Sequence, residues 1–156
     1  MILYYVDVMT KQSIEFFQAL IKKSPELRVL IVQNHLPDFT IVLQEFLKDI
    51  NPRIKELIYN NELAQSGFRL RPRAFEYAVL CDVIDHSNAY LLEEIYHTLE
   101  NSANIILISS KQNSIDAFTL KNLLDSYDFL AINEIDIFDN FYLVCGKKMH
   151  KWGSGL

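Results

Sequence analysis

Apolar positions along the chain follow two rhythms that replace each other every ten to fifteen residues. Over residues 11–23, Ile14, Phe17, Leu20 and Ile21 recur at helical spacing. Thr10 is placed to cap that helix, Lys22 and Lys23 suit its carboxyl end, and Pro25 stops it. Residues 27–33, LRVLIVQ, form a continuous β-branched run, which predicts a buried parallel strand. Helical spacing returns over 38–49 through Phe39, Val42, Leu43, Phe46 and Leu47. Residues 1–9 are apolar and aromatic and fit a short strand or a packed arm.

Residues 52–66 admit two readings. Asn51, Pro52 and Gly67 have the spacing of a helix cap, a first helical residue and a helix stop. The run IKELIY fits a second strand instead, which is preferred because the first strand and its helix need a partner to pair with. Residues 68–71 predict a short strand before Pro72, and 75–83 the clearest buried strand. Ser87 or Asn88 then caps a helix to about Leu99, with Leu91, Leu92, Ile95, Tyr96 and Leu99 inward and the pair Glu93–His97 outward. A strand follows over 104–109, then a helix from Ser114 to about Tyr127 with Leu120, Leu123, Leu124 and Tyr127 on one face. Two β runs at 131–138 and 141–147 are separated by Asp139 and Asn140, residues that tolerate a tight hairpin turn. This alternation predicts a three-layer α/β fold: a mostly parallel, Rossmann-like sheet closed by an antiparallel carboxyl-terminal hairpin. One domain is expected over residues 1–148, with 149–156 a flexible tail.

Composition narrows the class. Half of the 156 residues are apolar and 22% are charged, a globular profile. No apolar run approaches the ~18 residues a membrane helix needs. The start, MILYYVDVMTK, lacks a basic region and a small-residue cleavage site, so a cytoplasmic protein is expected. Cys81 and Cys145 lie in apolar runs and read as buried thiols. The net charge of −5 argues against a general nucleic-acid binder. No histidine pair has metal-ligand spacing, so no metal is expected.

Candidate chemistry gathers where strands end, because open α/β sheets place ligands outside the carboxyl ends of their strands. Asp82, Asp85 and His86 follow the strand at 75–83; His86 suits a general base oriented by either aspartate. The plainer reading is a helix entrance capped by Asp85 or Ser87, with His86 exposed. Gln33, Asn34 and His35 end the strand at 27–33 and are expected to touch any ligand. Arg69, Arg71 and Arg73 alternate; in an extended segment they share a face suited to phosphate or carboxylate. The plainer reading there is a charged edge that discourages aggregation. Lys147, Lys148, His150, Lys151 and Trp152 make a basic terminus, read as solvated rather than as a nucleic-acid contact.

The stretch FEYAVLCDVIDHSNAYLLEEIYHTLENSANIILISSK resembles the class I S-adenosylmethionine-dependent methyltransferases. The resemblance rests on the aromatic–acidic pair Phe75-Glu76 opening a strand, the following histidine-containing loop and helix, and the turn LENSAN into the next strand. It implies a methyltransferase sheet of about six or seven strands, with the cofactor near Gln33, Asn34 and His35. It also implies a ribose contact from Asn60 or Glu62, near the end of the second strand. The family's first strand runs into a glycine-rich loop; here the same place reads Leu30-Ile31-Val32-Gln33-Asn34-His35-Leu36-Pro37, without glycine. The short stretch between the second strand and residue 75 leaves too little chain for one crossover helix of the family pattern. Together these features imply a methyltransferase-fold protein with an eroded S-adenosylmethionine site, acting as a binding module for a small molecule or protein. The alternative is an active methyltransferase on a small molecule. A third reading, an RNA-directed enzyme using the arginines, is disfavoured by the acidic charge. The apolar start with Tyr4 and Tyr5 leaves room for a homodimer.

Overall fold

The structure is a computed structural model and describes residues 17–34, 37–112, 115–136 and 141–149. The expectations for residues 1–9, Thr10, Ile14, His35, Leu36, Ser114, the turn at Asp139–Asn140 and the residues after 149 lie outside these. Six strands form one sheet: β1 (Arg28–Gln33), β2 (Arg53–Ile58), β3 (Phe75–Cys81), β4 (Leu99–Ser110), β5 (Leu130–Glu134) and β6 (Phe141–Lys147). Their order is β2-β1-β3-β4-β6-β5. The first four of that order are parallel, and β6 runs antiparallel to both β4 and β5.

Four helices are bounded by described residues: α1 (Pro37–Leu47), α2 (Asn61–Ser66), α3 (Leu91–Thr98) and α4 (Ala117–Ser126). Residues 17–20 are helical as well. Alternating strand positions divide the core into two layers. Leu30, Val32, Ala78, Leu80, Ile105 and Leu107 meet α3 and α4 through Leu91, Leu92, Ile95, Leu120 and Leu124. Val29, Ile31, Val79, Ile106 and Ile108 meet Phe17, Phe39, Val42, Leu43 and Leu47. The three-layer, mostly parallel sheet is therefore as expected, and the carboxyl-terminal strand pair is antiparallel.

Local departures have local causes. The disputed stretch 52–66 contains a strand followed by a separate short helix. Asn51 is not the N-cap of a following helix: it is the C-cap of a 3-10 turn at Lys48–Ile50 and takes the left-handed conformation, φ 52°, which asparagine tolerates. No strand forms over 68–71, because Arg69 and Arg73 both have φ of 50°. That geometry also removes the shared arginine face, which required extended backbone. β3 stops at Cys81 because Asp82 has φ 58°. β4 begins earlier than expected, at Leu99, and carries an irregularity before Asn104 where Ser102 has φ 69°. Neither Ser87 nor Asn88 is the residue that precedes α3; Tyr90 is, and its side chain makes no capping bond. The closing helix is capped by Asp116, whose Oδ1 accepts from the Thr119 amide at 2.8 Å. β5 is shorter than expected and irregular at Ala131, φ 52°.

Candidate functional site at the carboxyl end of the sheet

The parallel strands β2, β1 and β3 end side by side at Ile58, Gln33 and Cys81. Pairing continues past these ends: the Tyr59 amide donates to the Gln33 carbonyl at 2.9 Å, and the Asn34 amide to the Cys81 carbonyl at 3.1 Å. Asn34 Nδ2 also donates to the Asp82 carbonyl at 3.5 Å. Gln33 is buried. Asn34 thus ties β1 to β3 at the point where an open α/β sheet presents its ligand site.

The aspartates after β3 serve the chain that carries them. Asp82 Oδ1 accepts from the Ser110 amide at 2.8 Å, while the Asp82 amide donates to the Ile108 carbonyl at 2.7 Å, so this residue joins the ends of β3 and β4. Asp85 Oδ1 accepts from the Ser87 amide, the Ser87 hydroxyl and the Asn88 amide at 2.7, 2.6 and 3.1 Å. It is the cap of the turn leading into α3, as the plainer reading of this loop held. His86 is exposed. Secondary to the Thr119 backbone N–H, His86 contributes to lowering the Asp116 carboxyl at the next helix entrance. Asp82 and Asp85 are thus engaged with the backbone of β4 and of their own loop. Burial, reinforced by the Asp82 charge, pushes the Cys81 thiol well above its ordinary value and keeps it a neutral, unreactive core group.

Of the residues expected near a ribose, Asn60 is occupied: its Oδ1 accepts from the Leu63 amide at 2.8 Å and caps α2. Glu62 is exposed in the first turn of α2.

Two residues outside the expected set matter more. Asn88 is buried, at 4% exposure, and turns its side chain inward. Its Oδ1 accepts from the Asp85 amide at 2.8 Å, and its Nδ2 donates to the Val83 carbonyl at 2.7 Å and to the Tyr59 hydroxyl at 3.0 Å. Tyr59 follows β2 and Asn88 follows β3, with β1 between those strands. The hydrogen bond therefore spans β1 near its carboxyl end on the face covered by α3 and α4, where Tyr59 packs. Period-two alternation places Tyr59 on the same side as Leu57, which the sequence signals; its contact with Asn88, 29 residues away, has no local signature.

The surface at this end is apolar in places. Ile58 ends β2, Tyr90 precedes α3 and Phe118 lies in the first turn of α4, with 55, 51 and 69% exposure. Among the described residues no group of three or more His, Cys, Asp or Glu side chains is placed to hold a metal ion. No helix of the described residues is long and apolar enough to cross a membrane.

No family model matches the chain, and no curated protein matches it. Solved structures do. A SAM-dependent methyltransferase from Aquifex aeolicus superposes with a TM-score of 0.65 at 9% identity, over 87% of this chain and 89% of that one. The protein-(glutamine-N5) methyltransferase from Alicyclobacillus acidocaldarius gives 0.58 at 11% identity, over 90% and 92%. Phosphoethanolamine N-methyltransferase 2 of Haemonchus contortus, in complex with phosphomonomethylethanolamine and S-adenosylhomocysteine, gives 0.65 at 9% identity, over 90% of this chain and 53% of that one. The chain also spans about half, 51%, of the CurJ carbon methyltransferase. Strand order, the antiparallel β6 inserted beside the edge and these superpositions agree: the chain has the fold of the class I S-adenosylmethionine-dependent methyltransferases.

Proposed function

We propose that this protein is a non-catalytic binding module built on a methyltransferase scaffold, with its S-adenosylmethionine site eroded. The observation that carries this reading is the Tyr59–Asn88 hydrogen bond at 3.0 Å across the end of β1. A class I cofactor needs that place open, with glycine amides free to approach it. Here the stretch has no glycine, and the Asn34 amide is bonded to β3. The fold also lacks, among its described residues, a strand outside β2, where further sheet would wall in an adenine. Asp82, Asp85 and Asn60 have structural partners, which fits a surface no longer selected for chemistry.

The rival is an active small-molecule methyltransferase. Methyl transfer depends on aligning nucleophile, methyl and sulfur more than on strong acid–base groups, so an absent triad does not separate the two. Calorimetric titration with S-adenosylmethionine and with S-adenosylhomocysteine does. The proposal expects no saturable heat with either up to about millimolar concentration. Micromolar binding of either compound, lost on Gln33→Ala or Asn34→Ala, sinks it and restores the enzyme reading.

A further inference from the structure

Three cations share one face of two neighbouring strands at the opposite, amino-terminal end of the sheet. Arg28 of β1 and Arg53 of β2 are paired positions in the parallel register, and Lys55 lies two residues beyond Arg53. All three side chains therefore leave the sheet on the same side. Like charges on adjacent strands oppose pairing, so their neighbours matter. Arg28 is held by Glu76 at 3.3 Å and by Glu100 at 3.4 Å. Among the described residues Arg53 reaches only Glu26, at 3.8 Å, with both side chains more than half exposed. Lys55 has no ion pair or hydrogen-bonded side-chain partner among the described residues.

These cations border an open cleft of about 270 Å³ whose remaining lining is Ile54, Ala74 and Phe75. Arg73 adjoins it: its carbonyl accepts from Arg28 Nη1 at 3.5 Å, and its side chain is exposed. Among the described residues β2 is an edge strand, and Ala74 and Phe75, at the start of β3, supply the cleft's wall.

We propose that this cleft binds a small amphipathic anion, a single phosphate or carboxylate carried on an apolar body about the size of one ring. An engineered cavity of ~150 Å³ accepts benzene, so the volume suits such a body. The body lies against Ala74 and Phe75. Arg53 and Lys55 hold the anionic head through charge-assisted hydrogen bonds, and Arg28, fixed by its two glutamates, backs them. A polynucleotide is the poorer match, because the lining is largely apolar and the chain carries a net −5. Nothing here depends on S-adenosylmethionine, whose place in the fold is at the other end of the strands.

The test is an amide NMR titration of the full chain with phenyl phosphate and with benzoate. Inorganic phosphate and benzyl alcohol supply the head alone and the body alone. The expected result is saturable shifts at Arg53, Lys55, Ala74 and Phe75 with at least one of the two anions, and weaker binding of both controls. Preference for phenyl phosphate assigns a phosphate head, and preference for benzoate a carboxylate. The double variant Arg53→Glu, Lys55→Glu changes only exposed side chains and weakens binding by roughly tenfold or more. Absence of saturable shifts with both anions overturns the proposal. So does equal binding of benzyl alcohol, or undiminished affinity in a double variant whose remaining spectrum is unchanged.

Discussion

Asn88 spends its whole side-chain amide inside the protein, on Asp85, Val83 and Tyr59. Removing it leaves a buried carbonyl and an amide without partners, each costing ~1–3 kcal/mol. Asn88→Ala is expected to lower the urea unfolding free energy by about 2–3 kcal/mol. Tyr59→Phe removes one bond and leaves Asn88 its other two, so its cost is smaller, about 0.5–1.5 kcal/mol. Equal costs would mean that the bond across β1 is the only one that matters. Gly67 makes a second residue-scale case. Its φ is +75°, and a Cβ there would lie 2.5 Å from Glu94 Oε1. The same carboxylate accepts from the Phe68 amide at 3.1 Å through its other oxygen. With ψ of 178° as well, the Gly67 backbone is essentially open only to glycine, so Gly67→Ala is expected to cost about 1–3 kcal/mol from the backbone alone, measured by the same unfolding curves. Gly67 as a stop was legible in the sequence, as was the capping habit of Asp85. The inward turn of Asn88 was not, since an asparagine in a turn ordinarily caps or faces water, and only the distant Tyr59 gives it a reason to be buried.

Elements were read best where both flanks agreed on period. The β1, β3 and α1 patterns are continuous and apolar, and their burial leaves no choice of face. The stretch after Asn51 was ambiguous because a six-residue strand and a six-residue helix, placed end to end, mimic one longer helix. The arginine strip failed for another reason: two left-handed residues in five cannot be seen in side-chain alternation. The entrance to α4 shows a cap doing electrostatic work. The Thr119 backbone N–H bonded to Asp116, with a smaller contribution from His86, holds the Asp116 carboxyl below its ordinary value. A carboxyl lowered on folding stabilises the fold fully above its unfolded value. That contribution is lost as the pH falls through the lowered folded value. Asp116→Asn keeps a capping acceptor and removes the titration. The variant is therefore expected to be slightly less stable at neutrality and to show a shallower loss of stability as the pH falls through the carboxylate range, the two proteins converging in acid. Urea midpoints across that range check it, and a parallel acid limb in both proteins would assign the loss to other carboxylates.

At the scale of the whole molecule, the sheet is strongest in its middle and thin at both sides. β1 and β3 are buried along nearly their whole length and paired on both edges. β2 has no buried residue, and neither has β5. Both stand at the ends of the strand order. A strand held by one neighbour and little apolar burial opens without unfolding the core, because local opening costs only what that strand contributes. Charges on β2, at Arg53, Lys55 and Glu56, keep this edge in water and oppose pairing with another chain. Two copies meeting antiparallel at Lys55 or at Glu56 would place like charges opposite each other. Native-state hydrogen exchange should therefore resolve two classes. Amides of β1, β3 and the inner half of β4 are expected to exchange only through global unfolding, with protection that follows stability in added urea. Amides of β2 and β5 are expected to exchange through smaller openings that depend weakly on urea. The Tyr59 and Asn34 amides offer the sharpest comparison, since both bond across strand ends. If the Tyr59–Asn88 bond clamps the end of β2 onto the core, Tyr59→Phe raises exchange at Leu57, Ile58 and Tyr59 but not at Asn34. Unchanged exchange at all four would mean that β2 is held by its pairing with β1 alone, and that the crossing of β1 contributes nothing to closing the carboxyl end.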